Sequence, residues 1–192
     1  MKRIVITGLI AFGVAATLGF LLSFVPDLGQ LGVILPAVVG VLIAFMWWSL
    51  SGNKKVIKVN ASDRSQALGA LPPDGQAVVW VYREGFVGKA VGLNVSVDGR
   101  DVAQLKSPAS TRIVLAPGAY TLGAAMGVGG SLSPNAASAP INPAAGETLV
   151  FQLSMKMGAL KNTLTLDAKS DVAGALQRLA TTPMVQPLAA GA

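Results

Sequence analysis

Two uncharged apolar runs, residues 4–25 and 31–50, constrain this chain more than anything that follows them. Each is about 20 residues long, and at about 1.5 Å of rise per helical residue each spans roughly the 30 Å hydrocarbon core of a bilayer. The second run holds eleven Leu, Ile, Val and Phe residues. Each favours insertion by roughly 0.3 to 0.6 kcal/mol, which outweighs the opposition from Gly32, Pro36 and Gly40. Trp47 and Trp48 stand where an interfacial aromatic anchor belongs, just before Lys54, Lys55 and Lys58. The connection between the runs is short and contains Pro26, Asp27 and Gly29, so the expectation is a transmembrane helical hairpin over residues 1–50.

Small residues repeat at every fourth position in both runs, as Ala11, Ala15 and Gly19 and then as Gly32, Pro36, Gly40 and Ala44. Stripes of this kind let helix backbones approach closely in lipid, within one chain or between chains. Lys2 and Arg3 precede the first run and three lysines follow the second, whereas the connection carries only Asp27. The positive-inside rule then puts both ends on the cytoplasmic side of a bacterial inner membrane, and the rest of the chain with them. A periplasmic domain would require the reverse orientation.

With the hairpin set aside, one small domain, a connector and a tail remain. The net charge of +6 is concentrated beside the hairpin, where Lys54, Lys55 and Lys58 are placed to meet anionic headgroups. Elsewhere lysine and arginine are scattered, which argues against nucleic acid as a partner. The chain has no cysteine and no histidine. Disulfides, thiol nucleophiles and iron–sulfur ligation are therefore excluded, as are the commonest general base and the usual zinc ligands.

Residues 51–75 read as a basic juxtamembrane linker, in which Ser62 and Asp63 cap a short helix stopped by Pro72-Pro73. From Gln76 the apolar pattern takes a period of two. Residues 77–83 are apolar on both faces and predict a central strand. Leu93, Val95 and Val97 alternate with polar neighbours up to Asp98-Gly99, a hairpin turn pair. Further strands are expected over 100–105, 111–115, 120–124, 149–156 and 163–167, with a long loop over 123–146 that includes an irregular edge strand near Ile141. Ser170 caps a helix carrying Val172, Ala173, Leu176 and Leu179 on one stripe. The resulting expectation is a small antiparallel β-sandwich with a C-terminal helix over residues 76–180, followed by a disordered tail, 181–192.

Four segments carry a resemblance: Val79-Trp80-Val81-Tyr82-Arg83, Val95-Ser96-Val97-Asp98-Gly99-Arg100, Ala116-Pro117-Gly118-Ala119-Tyr120-Thr121-Leu122 and Ala145-Gly146-Glu147-Thr148. In order and spacing the stretch 76–179 resembles bacterial PEGA-like β-sandwich domains of unknown function. The resemblance implies a non-catalytic, envelope-associated domain with no assigned activity, and no cofactor is expected. The chain departs from that family in its hairpin and its lack of a lipidated cysteine.

The polar inventory points to no chemistry. Asp98 and Asp101 are the nearest thing to a carboxylate pair, but Asp98 is the expected turn residue before Gly99. Residues 85–90 lack the spacing and the hydroxyl residue of a phosphate loop, and residues 127–130 miss the dinucleotide fingerprint. Phe86, after Gly85 in a loop, is the better candidate for partner contact, with Arg83 beside it as a polar anchor; Trp80 and Tyr120 are expected in the core. The expected function is a membrane-anchored interaction module that binds a protein partner or a second copy, with a lipid or small-ligand sensor as the alternative.

Overall fold

The computed structural model describes residues 13, 17, 38–43, 56–126, 136–156 and 163–188. The chain divides into two units, Met1–Ser51 and Gly52–Ala192. In the first, Gly13, Thr17 and residues 38–43 are helical. The Thr17 hydroxyl donates to the Gly13 carbonyl one turn back at 2.8 Å. Gly40 is buried, while Val38, Val41 and Leu42 are exposed. Among the described residues no helix is long and apolar enough to cross a membrane. The remainder of the expected hairpin, with Ala11, Ala15, Gly19, Gly32, Pro36, Ala44, Trp47 and Trp48, lies outside the described residues, as do Lys54 and Lys55.

The second unit is built from eight strands: β1 Ala77–Arg83, β2 Leu93–Val97, β3 Arg100–Leu105, β4 Ala109–Leu115, β5 Tyr120–Met126, β6 Ala137–Ile141, β7 Thr148–Lys156 and β8 Thr163–Ala168. Two helices, α1 Ala61–Gly69 and α2 Val172–Leu179, flank them in sequence. The strands form two four-stranded sheets, ordered β4-β1-β7-β8 and β3-β2-β5-β6. Between the sheets lies one apolar core that includes Val79, Val81, Val95, Leu105, Leu122 and Leu153.

The expected sandwich and C-terminal helix are present, but the sandwich is not wholly antiparallel. β1 runs parallel to β7, with Val79 opposite Leu149 and Val81 opposite Phe151. Every other pairing within the two sheets is antiparallel. A parallel pair needs a long crossover, and here the chain supplies it by passing through the second sheet as β2 and β3 and again as β5 and β6.

Both faces of β1 are apolar because both are covered. Val79 and Val81 face the second sheet, whereas Val78, Trp80 and Tyr82 pack beneath Ala67 and Leu68 of α1 and Ala175 and Leu179 of α2. All seven residues of β1 are buried, as its double-sided pattern predicts. α1 begins at Asn60, whose side-chain oxygen accepts from the Asp63 amide at 2.7 Å, so the cap falls just before the expected Ser62. α2 is capped by Asp171, which accepts from the Gly174 amide at 2.9 Å. Asp98 and Gly99 both have positive φ, 49° and 78°, as a two-residue hairpin turn requires.

The expectation of a disordered tail from residue 181 is overturned through residue 188. The Ser110 amide donates to the Pro183 carbonyl and the Val185 amide to the Ser110 carbonyl, both at 2.8 Å, so this segment lies along the free edge of β4. Residues 57–59 then pair with the segment on its other side, through Val59 N–H to Met184 O and Gln186 N–H to Ile57 O, each at 2.9 Å. The Leu188 amide donates to Val102 in β3 at 2.7 Å. Met184 and Val185 are buried, one beneath each face of the first sheet. An open sheet edge left in water would template association, and this segment occupies it.

Candidate functional site

At the Arg83 end of β1 the chain leaves the sheet in a loop, residues 84–92, whose form is dictated by one buried side chain. Arg83 is only 1% exposed. Its Nη1 donates to the carbonyls of Val91 at 2.6 Å and Leu105 at 3.1 Å, and its Nη2 to those of Gly88 at 2.8 Å and Val87 at 3.3 Å. Burial pushes its pKa down to about 10, which leaves the guanidinium charged at neutral pH. A planar fork with five donors suits this task, because it can satisfy carbonyls that diverge around it.

The rest of the loop is fastened from outside. The Ser107 hydroxyl donates to the Gly85 carbonyl at 2.6 Å, and the Ser107 amide to the Lys89 carbonyl at 3.3 Å. Within the loop, the Lys89 amide donates to Phe86 O at 3.2 Å and the Val91 amide to Gly88 O at 2.9 Å. Gly88 has φ +63°, a conformation that suits glycine, and the flexible end of the Met155 side chain from β7 lies against it. On this frame Phe86 stands 88% exposed. A loop with so many of its carbonyls satisfied has little freedom to fold an aromatic ring back onto the body of the protein.

The arrangement assigns the two expected contact residues different roles. Phe86 is on the surface, but Arg83 does not stand beside it as a polar anchor for a partner. It is buried and engaged with backbone on every side, because a long cation at the end of a central strand finds inward-turned carbonyls where the sheet stops. Lys58 is exposed, and its backbone takes part in the ladder with Val185. Trp80 is buried beneath the helices, and Tyr120 is half-buried against the inter-sheet core.

The two aspartates have structural partners. Asp98 Oδ1 accepts from the Thr121 amide at 2.8 Å, which ties the β2–β3 turn to β5. Asp101 Oδ2 accepts from Asn94 Nδ2 at 2.7 Å, and Asn94 Oδ1 accepts from Gln104 Nε2 at 2.7 Å, which forms a polar chain across β2 and β3. Among the described residues no three carboxylates gather closely enough to hold a metal ion.

No family model and no curated protein matches this chain. The site therefore has to be read from its own geometry. What sequence reasoning missed is the dependence of the Phe86 loop on Arg83. The only local signal was the run Gly85 to Gly88, whose two glycines announce a tight loop without saying what fills it.

Proposed function

We propose that this chain is a membrane-anchored, non-catalytic binding module that docks a partner protein through Phe86 and the loop around it. One observation carries the reading: an aromatic ring 88% exposed on a loop held from within by four hydrogen bonds of a buried guanidinium. Exposed apolar side chains are ordinary on mobile segments. One held rigidly in water is pre-organised for contact, because the ordering cost of docking has already been met during folding. Aromatic anchors of this kind commonly dominate the energetics of protein interfaces.

The membrane anchor in this proposal is the hairpin over residues 1–50, with both ends cytoplasmic. Its support is the length of the two apolar runs, the charge asymmetry around them, and the exposed Val38, Val41 and Leu42 on a helical stretch. The likeness to PEGA-like domains is part of the same proposal, since it too implies binding rather than turnover.

A photo-crosslinking residue at position 86 tests this, with position 114 as an exposed control on β4. The expected outcome is one discrete crosslinked protein from position 86 in membranes, absent from position 114 and lost when Arg83→Met loosens the loop. Equal, diffuse crosslinking from both positions would overturn the proposal.

A further inference from the structure

A groove between the first residues of α2 and the end of β8 encloses a cavity of about 700 Å³, and it shares no residue with the Phe86 loop. Its lining includes Tyr82, Lys169, Ser170, Asp171, Gln177 and Arg178. Tyr82 is 1% exposed as a residue, and its hydroxyl has no hydrogen-bond partner among the described residues. The hydroxyl is not one of the fully buried, unpartnered side-chain atoms among the described residues, so the little surface that Tyr82 keeps opens it to the groove and to whatever enters there. Burial raises the Tyr82 pKa, the Glu84 carboxylate raises it further, and Arg178 opposes them. The phenol is therefore a proton donor throughout the physiological range.

The balance of donors and acceptors defines the ligand class. Tyr82, Ser170, Gln177, Lys169 and Arg178 all offer N–H or O–H donors, and none of these side chains is engaged in a hydrogen bond or ion pair among the described residues. Each nearby carboxylate has one oxygen engaged, Asp171 Oδ1 accepting from the Gly174 amide at 2.9 Å and Glu84 Oε1 from the Thr182 hydroxyl at 3.3 Å, so the groove offers more donors than open acceptors. We propose that this groove binds a small oxyanion, a phosphate or carboxylate group, held by the Tyr82 hydroxyl and by the side chains of Lys169 and Arg178. Charged donors converging with a neutral hydroxyl bind oxyanions through short, charge-assisted bonds. The phenol gives the site its direction, because its position is fixed by packing against Trp80, Ala175 and Leu179, whereas of the two lining cations Arg178 is exposed and Lys169 half-buried.

The test titrates inorganic phosphate into the full chain in neutral detergent micelles, with sodium chloride at matched ionic strength as control, and follows the amide resonances of residues 170–178. Saturable shifts with phosphate and none with chloride are expected. Tyr82→Phe, which removes one oxygen from a packed ring, and Arg178→Gln, on the surface, should each weaken binding about tenfold while the remaining resonances stay in place. Phosphate shifts that merely track chloride would overturn the proposal, as would unaltered affinity in Tyr82→Phe. Repeating the measurement in phosphatidylcholine discs with and without phosphatidylglycerol identifies the source of the oxyanion. Shifts on adding phosphatidylglycerol alone mark a lipid headgroup, and shifts only with free phosphate mark a soluble ligand.

Discussion

Arg83 and Thr111 stand on neighbouring strands of one sheet and show opposite ways of burying a polar side chain. Arg83 is fully engaged. Replacing it with methionine keeps most of the apolar length but leaves the carbonyls of Val87, Gly88, Val91 and Leu105 without their donor. A loss of about 3 kcal/mol is expected in urea unfolding, with faster amide exchange at Lys89 and Val91. Lysine should recover only part of it, since its single ammonium cannot span carbonyls that diverge. Thr111 is the reverse case: it is 0% exposed and its Oγ1 has no partner among the described residues. Thr111→Val replaces that hydroxyl with a methyl of similar size and should raise the unfolding free energy by about 1 kcal/mol, visible as a higher denaturation midpoint. An unchanged or lowered midpoint would mean that the hydroxyl is satisfied after all.

Among the elements, those with a strong local period were the ones readable in the sequence. The alternation of Leu93, Val95 and Val97, the Asp98-Gly99 turn and the helical stripe of Val172, Leu176 and Leu179 each carry their fold within a few residues. β1 was readable as central because it is apolar on both faces, and the two layers that cover it are now identified. The parallel pairing of β1 with β7 was not readable, since alternation fixes which face a residue takes and is blind to the direction of its neighbour. Nor was the segment after Thr181, where Met184 and Val185 are two apolar residues between Pro183 and Pro187, too few to show a period. Its importance is in pairing. Ending the chain after Thr182 removes the buried Met184 and Val185, each worth about 2 kcal/mol of burial, and bares the edge of β4. The shortened chain should unfold at a markedly lower temperature and elute as oligomers in size-exclusion chromatography. A monomer of unaltered stability would show that the edge needs no cover.

For the whole molecule, the charge pattern around the proposed hairpin predicts where the β-sandwich resides. With alkaline phosphatase fused to the C-terminus the enzyme should be inactive, and with a fluorescent protein at the same position the cells should be bright. The opposite pair of results would place the sandwich across the membrane and make envelope proteins its candidate partners. The candidate site divided along similar lines of legibility: Phe86 was readable as a loop aromatic, whereas Arg83 and the Tyr82 groove depend on residues brought together from distant parts of the chain. The closing ladder at the β4 edge also sets an order of events during synthesis. Residues 57–59 have nothing to pair with until residues 183–186 exist, so the ribosome must carry the chain past the second helix before this side of the sandwich can be sealed. Until then the nascent domain presents an unprotected strand, and that interval, rather than the finished fold, is when it most needs a chaperone.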